Sequence, residues 1–207
     1  MTFSMSIITD FDSLKEFCHR LSKSTYVTVD TEFIREKTYW PQLCLVQLAN
    51  EEEAKVIDTM AEGLDLAPLL DLMANKNVLK VFHAARQDLE IFYKLSNKLP
   101  QPIFDTQIAA MVCGFGDSVG YETLVNSIIG EPIDKSSRFT DWAARPLTEK
   151  QVAYALGDVT YLRIIYETLE TKLSESGRNE WLKEEISKLT DEKIYSAPPR
   201  EAWRRLK

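Results

Sequence analysis

The apolar positions change period along the chain. Between residues 10 and 21, Phe11, Leu14, Phe17, Cys18 and Leu21 recur at the spacing of one helical face. Three strand-like runs follow, at 26–33, 42–49 (QLCLVQLA) and 54–58 (AKVID), with gaps short enough for antiparallel neighbours. LDLAPLLDLM then predicts a helix with Pro68 in its first turn. NVLKVF at 77–82 predicts a fourth strand leading into a helix from about Ala84, and PIFD at 102–105 a short fifth strand. Asp105 closes that strand and is placed to cap the helix after it. Beyond it the pattern is mostly helical, broken by a long polar loop over 130–146. Strands first and β-α-β-α after them predict an α/β fold, a mixed five-stranded sheet flanked by helices.

Four carboxylates do not fit this pattern. In YVTVDTEFIR (26–35), Asp30 and Glu32 share one strand face, roughly 7 Å apart along the strand, where like charges near a core repel with little screening. Asp88 falls on the apolar stripe of Ala84, Ile91, Phe92 and Leu95, opposite a polar face of Arg86, Glu90 and Lys94. Asp158 has apolar neighbours at three and four in a helix whose start carries a T-x-x-Q capping box, Thr148 and Gln151. Tyr154, one turn earlier, brings its hydroxyl toward the same spot. Gly157 in mid-helix costs about 1 kcal/mol relative to Ala and points to a close approach there. Taken singly, Asp88 and Asp158 are as readily caps or ion-pair members as ligands. Taken together with Asp30 and Glu32, and with no matching set of inward Lys or Arg, they call for a shared counter-charge. Hard divalent cations, which take oxygen ligands, supply one.

Composition narrows the classes. The 207 residues suit one domain with at most an appendage, and 44% hydrophobic with 28% charged residues is ordinary for a soluble globular protein. A formal charge of −7 and the lack of any basic block exclude a basic nucleic-acid arm. A polyanionic partner would have to be drawn in by local patches or bound cations. Cys18, Cys44 and Cys113 lie far apart, and with two histidines they argue against a zinc site or a disulfide framework and for a reducing cytoplasm. The first residues do not resemble a signal peptide, and no apolar run is long enough to span a bilayer. Phosphate-loop, dinucleotide, nucleophile-elbow and EF-hand motifs are all missing.

VDTEF (29–33), HAARQD (83–88) and YALGD (154–158) resemble, in order, the three exonuclease motifs of the DEDD superfamily, and the Tyr-x-x-x-Asp form of the third marks its tyrosine branch. FDTQIAA (104–110) and DWAARPLTEKQVAYALGDVTYL (141–162) resemble the ribonuclease D family in particular, and the resemblance covers most of residues 5–205. It implies a ribonuclease-H-like fold and 3′-to-5′ hydrolysis of RNA 3′ ends to nucleoside 5′-monophosphates. It also implies that Asp30, Glu32, Asp88 and Asp158 hold two Mg²⁺ or Mn²⁺ ions, with Asp30 bridging. Such ions clamp an in-line displacement at phosphorus. Tyr154 would orient the attacking water, since a tyrosine of ordinary pKa, near 10, is a poor base at neutral pH. Thr31, Phe33, His83, Gln87 and Trp142 are expected substrate contacts, the aromatic ones by stacking without sequence preference. Single-stranded DNA or short oligonucleotides are an alternative substrate, and RNA binding without catalysis an alternative function. In that family helical RNA-binding (HRDC) domains follow the exonuclease domain. Here the expectation is an exonuclease domain over 1–195 and a C-terminal tail, 196–207, at PPREAWRR, where the first such domain would begin.

Overall fold

A computed structural model of the chain describes residues 7–134, 136–196 and 200. Its strands are β1 (Ile7–Ile8), β2 (Tyr26–Ile34), β3 (Gln42–Ala49), β4 (Ala54–Asp58), β5 (Leu79–Phe82) and β6 (Ile103–Asp105). Its helices are α1 (Phe11–Leu21), α2 (Ala67–Ala74), α3 (Arg86–Ser96), α4 (Thr106–Val112), α5 (Tyr121–Ile129), α6 (Glu149–Ser176) and α7 (Asn179–Leu189). The strands make one mixed sheet in the order β1-β4-β3-β2-β5-β6, antiparallel at β4/β3 and β3/β2 and parallel elsewhere. The α/β class and the five expected strands are present. The sixth, β1, adds only two residues at the edge, too few to leave an alternation in the sequence.

The alternation in β2 divides the molecule. Val27 and Val29 pack with Leu14 and Phe17 of α1 and Leu89 and Phe92 of α3 on one face. Thr28 points the other way, its hydroxyl donating to the carbonyl of Val159 in α6 at 2.8 Å. On that face Tyr26 and Val81 pack against Leu162, Ile165 and Leu169 of α6. Asp30 and Glu32, in step with Thr28, therefore reach the α6 side at the end of the strand.

Two helices carry the remaining carboxylates. The long α6 starts at the expected capping box, with both reciprocal bonds between Thr148 and Gln151 formed, and Leu147 joins Val152 in one apolar cluster. The close approach expected at Gly157 is not there: a Cβ would meet nothing nearer than the Tyr161 ring at 3.8 Å. Helix α3 differs more from its expected stripe. Its buried face is Asp88 to Phe92, while Leu95 is 43% exposed. Glu90 is not on a solvated face but buried, paired with Arg35 at 2.7 Å, and Lys94 lies over the Trp40 ring. The cause is the β2–β3 connection, which folds over that flank of the helix. No described helix is long and apolar enough to cross a membrane.

Candidate active site

Asp30, Glu32 and Asp158 converge where β2 ends beside α6, and each offers an oxygen within 4.8 Å of the others'. The β2–β3 register shifts between Glu32 and Phe33, a bulge that ends regular pairing at the motif. No Lys or Arg among the described residues forms an ion pair with any of the three. Lys80 is a fully buried cation that the sequence pattern did not mark as inward. It sits at the other end of β5, spending its charge on the carbonyls of Asn75, Val78 and Gln101.

The consequence is electrostatic. Burial first, then the neighbouring Asp158, holds Asp30 well above the usual carboxylate range. Burial and then Asp30, Asp158 and Asp88 push Glu32 up to about 10. Burial lifts Asp158 to about 7, against the opposing effects of Tyr154 and Arg138. Without a cation these groups hold their protons to higher pH than ordinary carboxylates do. Their chemistry fits a hard divalent ion, since all the donors are carboxylate oxygens.

Asp88 stands apart from this trio. It is buried at the first turn of α3, and its Oδ1 accepts a 2.5 Å hydrogen bond from the Thr31 hydroxyl. Burial, then Asp30, raises it, and the Thr31 bond opposes the rise. Thr31 was expected to touch substrate. Its side chain is instead buried on the opposite face of β2 from Asp30, where alternation sends it to α3.

Tyr154 is half-buried beside Asp158, and burial followed by the charges of Asp158, Glu32 and Asp30 raises its hydroxyl, so it keeps its proton. Trp142, also expected to stack on substrate, is 4% exposed. It packs with Leu45, Val56 and Ala155, its ring 6.0 Å from that of Tyr154, and is a wall for the tyrosine rather than a platform for a base. His83 lines the same cavity as Asp30, Tyr154 and Asp158, with Nδ1 3.0 Å from the Thr106 hydroxyl. Burial holds its pKa below the ordinary value, leaving the ring neutral. Phe33 is half-buried past the bulge, and Gln87 is exposed at the start of α3 beside Arg35 and Arg86.

Four residues escaped the sequence reading as site residues. Tyr121 of α5 donates its hydroxyl to the carbonyl of Asp158 at 2.7 Å, tying α5 to the turn that presents the carboxylate. Gln47 lies directly opposite Asp30 in the β2–β3 register and is fully buried, its amide without a hydrogen-bond partner among the described residues. Arg138 lines the cavity from the 130–146 loop. Asp105 caps α4 as expected, and also accepts from the backbone N–H groups of Ala84 and Ala85 at 3.1 and 2.8 Å. Those bonds hold the left-handed Ala84 (φ 56°) that turns the chain from β5 into α3. The only signals for these four were ordinary ones: a buried-looking Gln, a tyrosine at a helix start, a loop arginine and a cap.

The likeness extends well beyond the site. A family described as 3′-5′ exonuclease matches residues 5–174, and the chain belongs to it. Ribonuclease D of Jannaschia sp. (strain CCS1) is 57% identical over 204 residues, covering 97% of this chain and 53% of that protein. Ribonuclease D of Sphingobium indicum is 54% identical over 202 residues, covering 97% and 52%. The chain thus spans about half the length of the curated relatives it matches. Among solved structures, Escherichia coli RNase D, an exoribonuclease involved in structured RNA processing, superposes with a TM-score of 0.89 at 37% identity, over 96% of this chain and 53% of that one. Brucella melitensis NrnC superposes with a TM-score of 0.77 at 25% identity, over 98% and 94%.

Proposed function

We propose that this chain is the catalytic domain of a metal-dependent 3′-to-5′ exoribonuclease of the ribonuclease D kind, hydrolysing RNA from its 3′ end to nucleoside 5′-monophosphates. The observation that carries the reading is the convergence of Asp30, Glu32 and Asp158 oxygens beside Tyr154, in a chain of the exonuclease family. Asp30, Glu32, Asp88 and Asp158 would hold two divalent ions, Mg²⁺ or Mn²⁺. Such ions, when bound, would supply a nucleophilic water at neutral pH and stabilise the departing 3′ oxygen. Tyr154 keeps its proton and orients the water. Water oxygen bonds to phosphorus, the P–O3′ bond breaks, and the shortened chain leaves with a free 3′ hydroxyl. Thr31 acts on Asp88, while Phe33, His83 and Gln87 remain the candidates for contact with the terminal nucleotide.

The exonuclease domain is taken to extend to residue 195, because α7 packs on α4 and Tyr195 is buried against the fold; residues 197–199 and 201–207 of the expected tail lie outside the described residues. Three free cysteines suit a reducing cytoplasm. A second reading, action on very short oligonucleotides, is favoured by the near end-to-end match to NrnC, which has been solved bound to pGG.

The test is parallel digestion of 3′-labelled RNA and DNA oligomers and of dinucleotides, in Mg²⁺, Mn²⁺ or EDTA. Mononucleotide release that is fastest on RNA oligomers and stopped by EDTA is expected. A dinucleotide preference favours the second reading, and no release in either metal refutes both.

A further inference from the structure

Residues 137–140 make a tight turn whose ends are held and whose tip is exposed. Ser137 is buried, the Thr140 N–H and hydroxyl both donate to its carbonyl at 3.2 and 2.9 Å, and Gln151 of α6 donates to the Thr140 hydroxyl at 3.2 Å. Just downstream, Trp142 is packed in the core and Arg145 grips Asp58 through two 2.7 Å bonds. The turn therefore presents its two central residues, Arg138 and Phe139, at a set place. Turn tips are ordinarily Gly, Asn, Asp or Ser; this one carries a phenylalanine that is 91% exposed. The Arg138 guanidinium lies 5.2 Å from the Phe139 ring centre. Arg138 is also the one cation among the residues lining the cavity of about 370 Å³ that holds Asp30, Tyr154 and Asp158. Among the described residues it has no ion-pair partner, although Asp30 and Asp158 line the same cavity.

The guanidinium lines the cavity beside Asp30 and Asp158 without an ion pair to either. A planar, five-donor cation matched to phosphate oxygens, beside an exposed π-face, is the chemistry that grips single-stranded nucleic acid. Resting on the exonuclease reading above, we infer that Arg138 and Phe139 form a substrate clamp. Arg138 binds a backbone phosphate on the 5′ side of the nucleotide being removed, and Phe139 stacks on a base there. The clamp reads no sequence, since every base has a π-face and every linkage a phosphate. It also answers the charge problem of a chain carrying −7, by placing one fixed positive group where a polyanion must enter.

The test is binding of a 5′-fluorescent single-stranded RNA pentamer in Ca²⁺ buffer, followed by anisotropy across a salt series. Arg138→Gln is expected to weaken binding about tenfold at low salt and to reduce the slope of log K against log salt by about 0.7, the share of one phosphate contact on a single strand. Arg138→Lys should keep that slope. Phe139→Ala is expected to weaken binding about tenfold, Phe139→Trp to restore it, and the Ala loss to vanish on an oligomer of abasic sugars. Both side chains are exposed, so melting curves of the variants should match the wild type. An unchanged salt slope for Arg138→Gln, or a Phe139→Ala loss that persists on the abasic strand, overturns the clamp. A wild-type protein that binds the pentamer with these signatures but releases no mononucleotide in Mn²⁺ refutes the exonuclease reading and leaves the clamp standing.

Discussion

Glu32 and Asp158 carry the account at the scale of single residues, because their protons report whether the site is filled. Their folded-state values, about 10 and about 7, stand above the ordinary carboxylate range. Over that interval the metal-free native state binds more protons than the unfolded chain, so stability is greatest in acid and falls as pH rises. The melting temperature in EDTA should accordingly be lower at pH 8.5 than at pH 5.5, and millimolar Mn²⁺ should narrow the gap by replacing protons with a cation. A melting temperature in EDTA that holds steady or climbs over that range contradicts it. Thr31 gives a second residue-level prediction. Thr31→Val keeps the shape and removes the donor to Asp88; on the proposed reading Asp88 holds a metal ion, and losing the hydrogen-bond partner of such a ligand typically costs 10–100-fold in metal affinity or activity. A Mn²⁺ titration by calorimetry checks it, with wild-type affinity the opposing result. Sequence reading paired Asp30 with Glu32 correctly from strand alternation. The same alternation, followed one residue further, sends Thr31 away from the site cavity; its true partner was hidden because Asp88 comes from another element.

Among the elements, the connection between β5 and α3 holds the most. Asp105 at the end of β6 accepts from Ala84 and Ala85 at the start of α3 and from Gln107 and Ile108 at the start of α4. One carboxylate thus caps α4, worth about 0.5–2 kcal/mol, and pairs two N–H groups at the entry to α3, where a buried donor left unpaired costs about 1–3 kcal/mol. Asp105→Ala is expected to cost about 1–4 kcal/mol in urea unfolding and to lower activity by loosening α3, which carries Asp88. Unfolding at the wild-type urea midpoint would remove Asp105 from that role. Strand and helix positions were largely legible, since periodicity and caps are local. The face of α3 was not, because a loop residue 55 positions away in sequence, Arg35, pairs with the buried Glu90, while Leu95 is exposed. Trp142 was misjudged for a similar reason: a long polar loop suggested exposure, yet the bidentate Arg145–Asp58 pair pins that segment to the sheet and drives the indole into the core.

For the whole molecule, the sheet order explains how residues 128 positions apart form one site. Central β2 brings Asp30 and Glu32 to its end, and α6 crosses the same face with Tyr154 and Asp158. On the proposed reading an acidic chain meets a polyanion by way of bound cations, so site occupancy and catalysis should rise and fall together. The most direct test measures nucleoside 5′-monophosphate release from a 3′-labelled RNA oligomer in Mn²⁺ by the wild type and by Asp158→Asn, alongside their melting temperatures in EDTA. The wild type should release mononucleotides one at a time from the 3′ end. Asp158→Asn should release them at least about a hundredfold more slowly while melting no lower, since the substitution removes a repelling carboxylate. An Asp158→Asn protein that works at the wild-type rate would contradict the central claim that these carboxylates hold the catalytic ions.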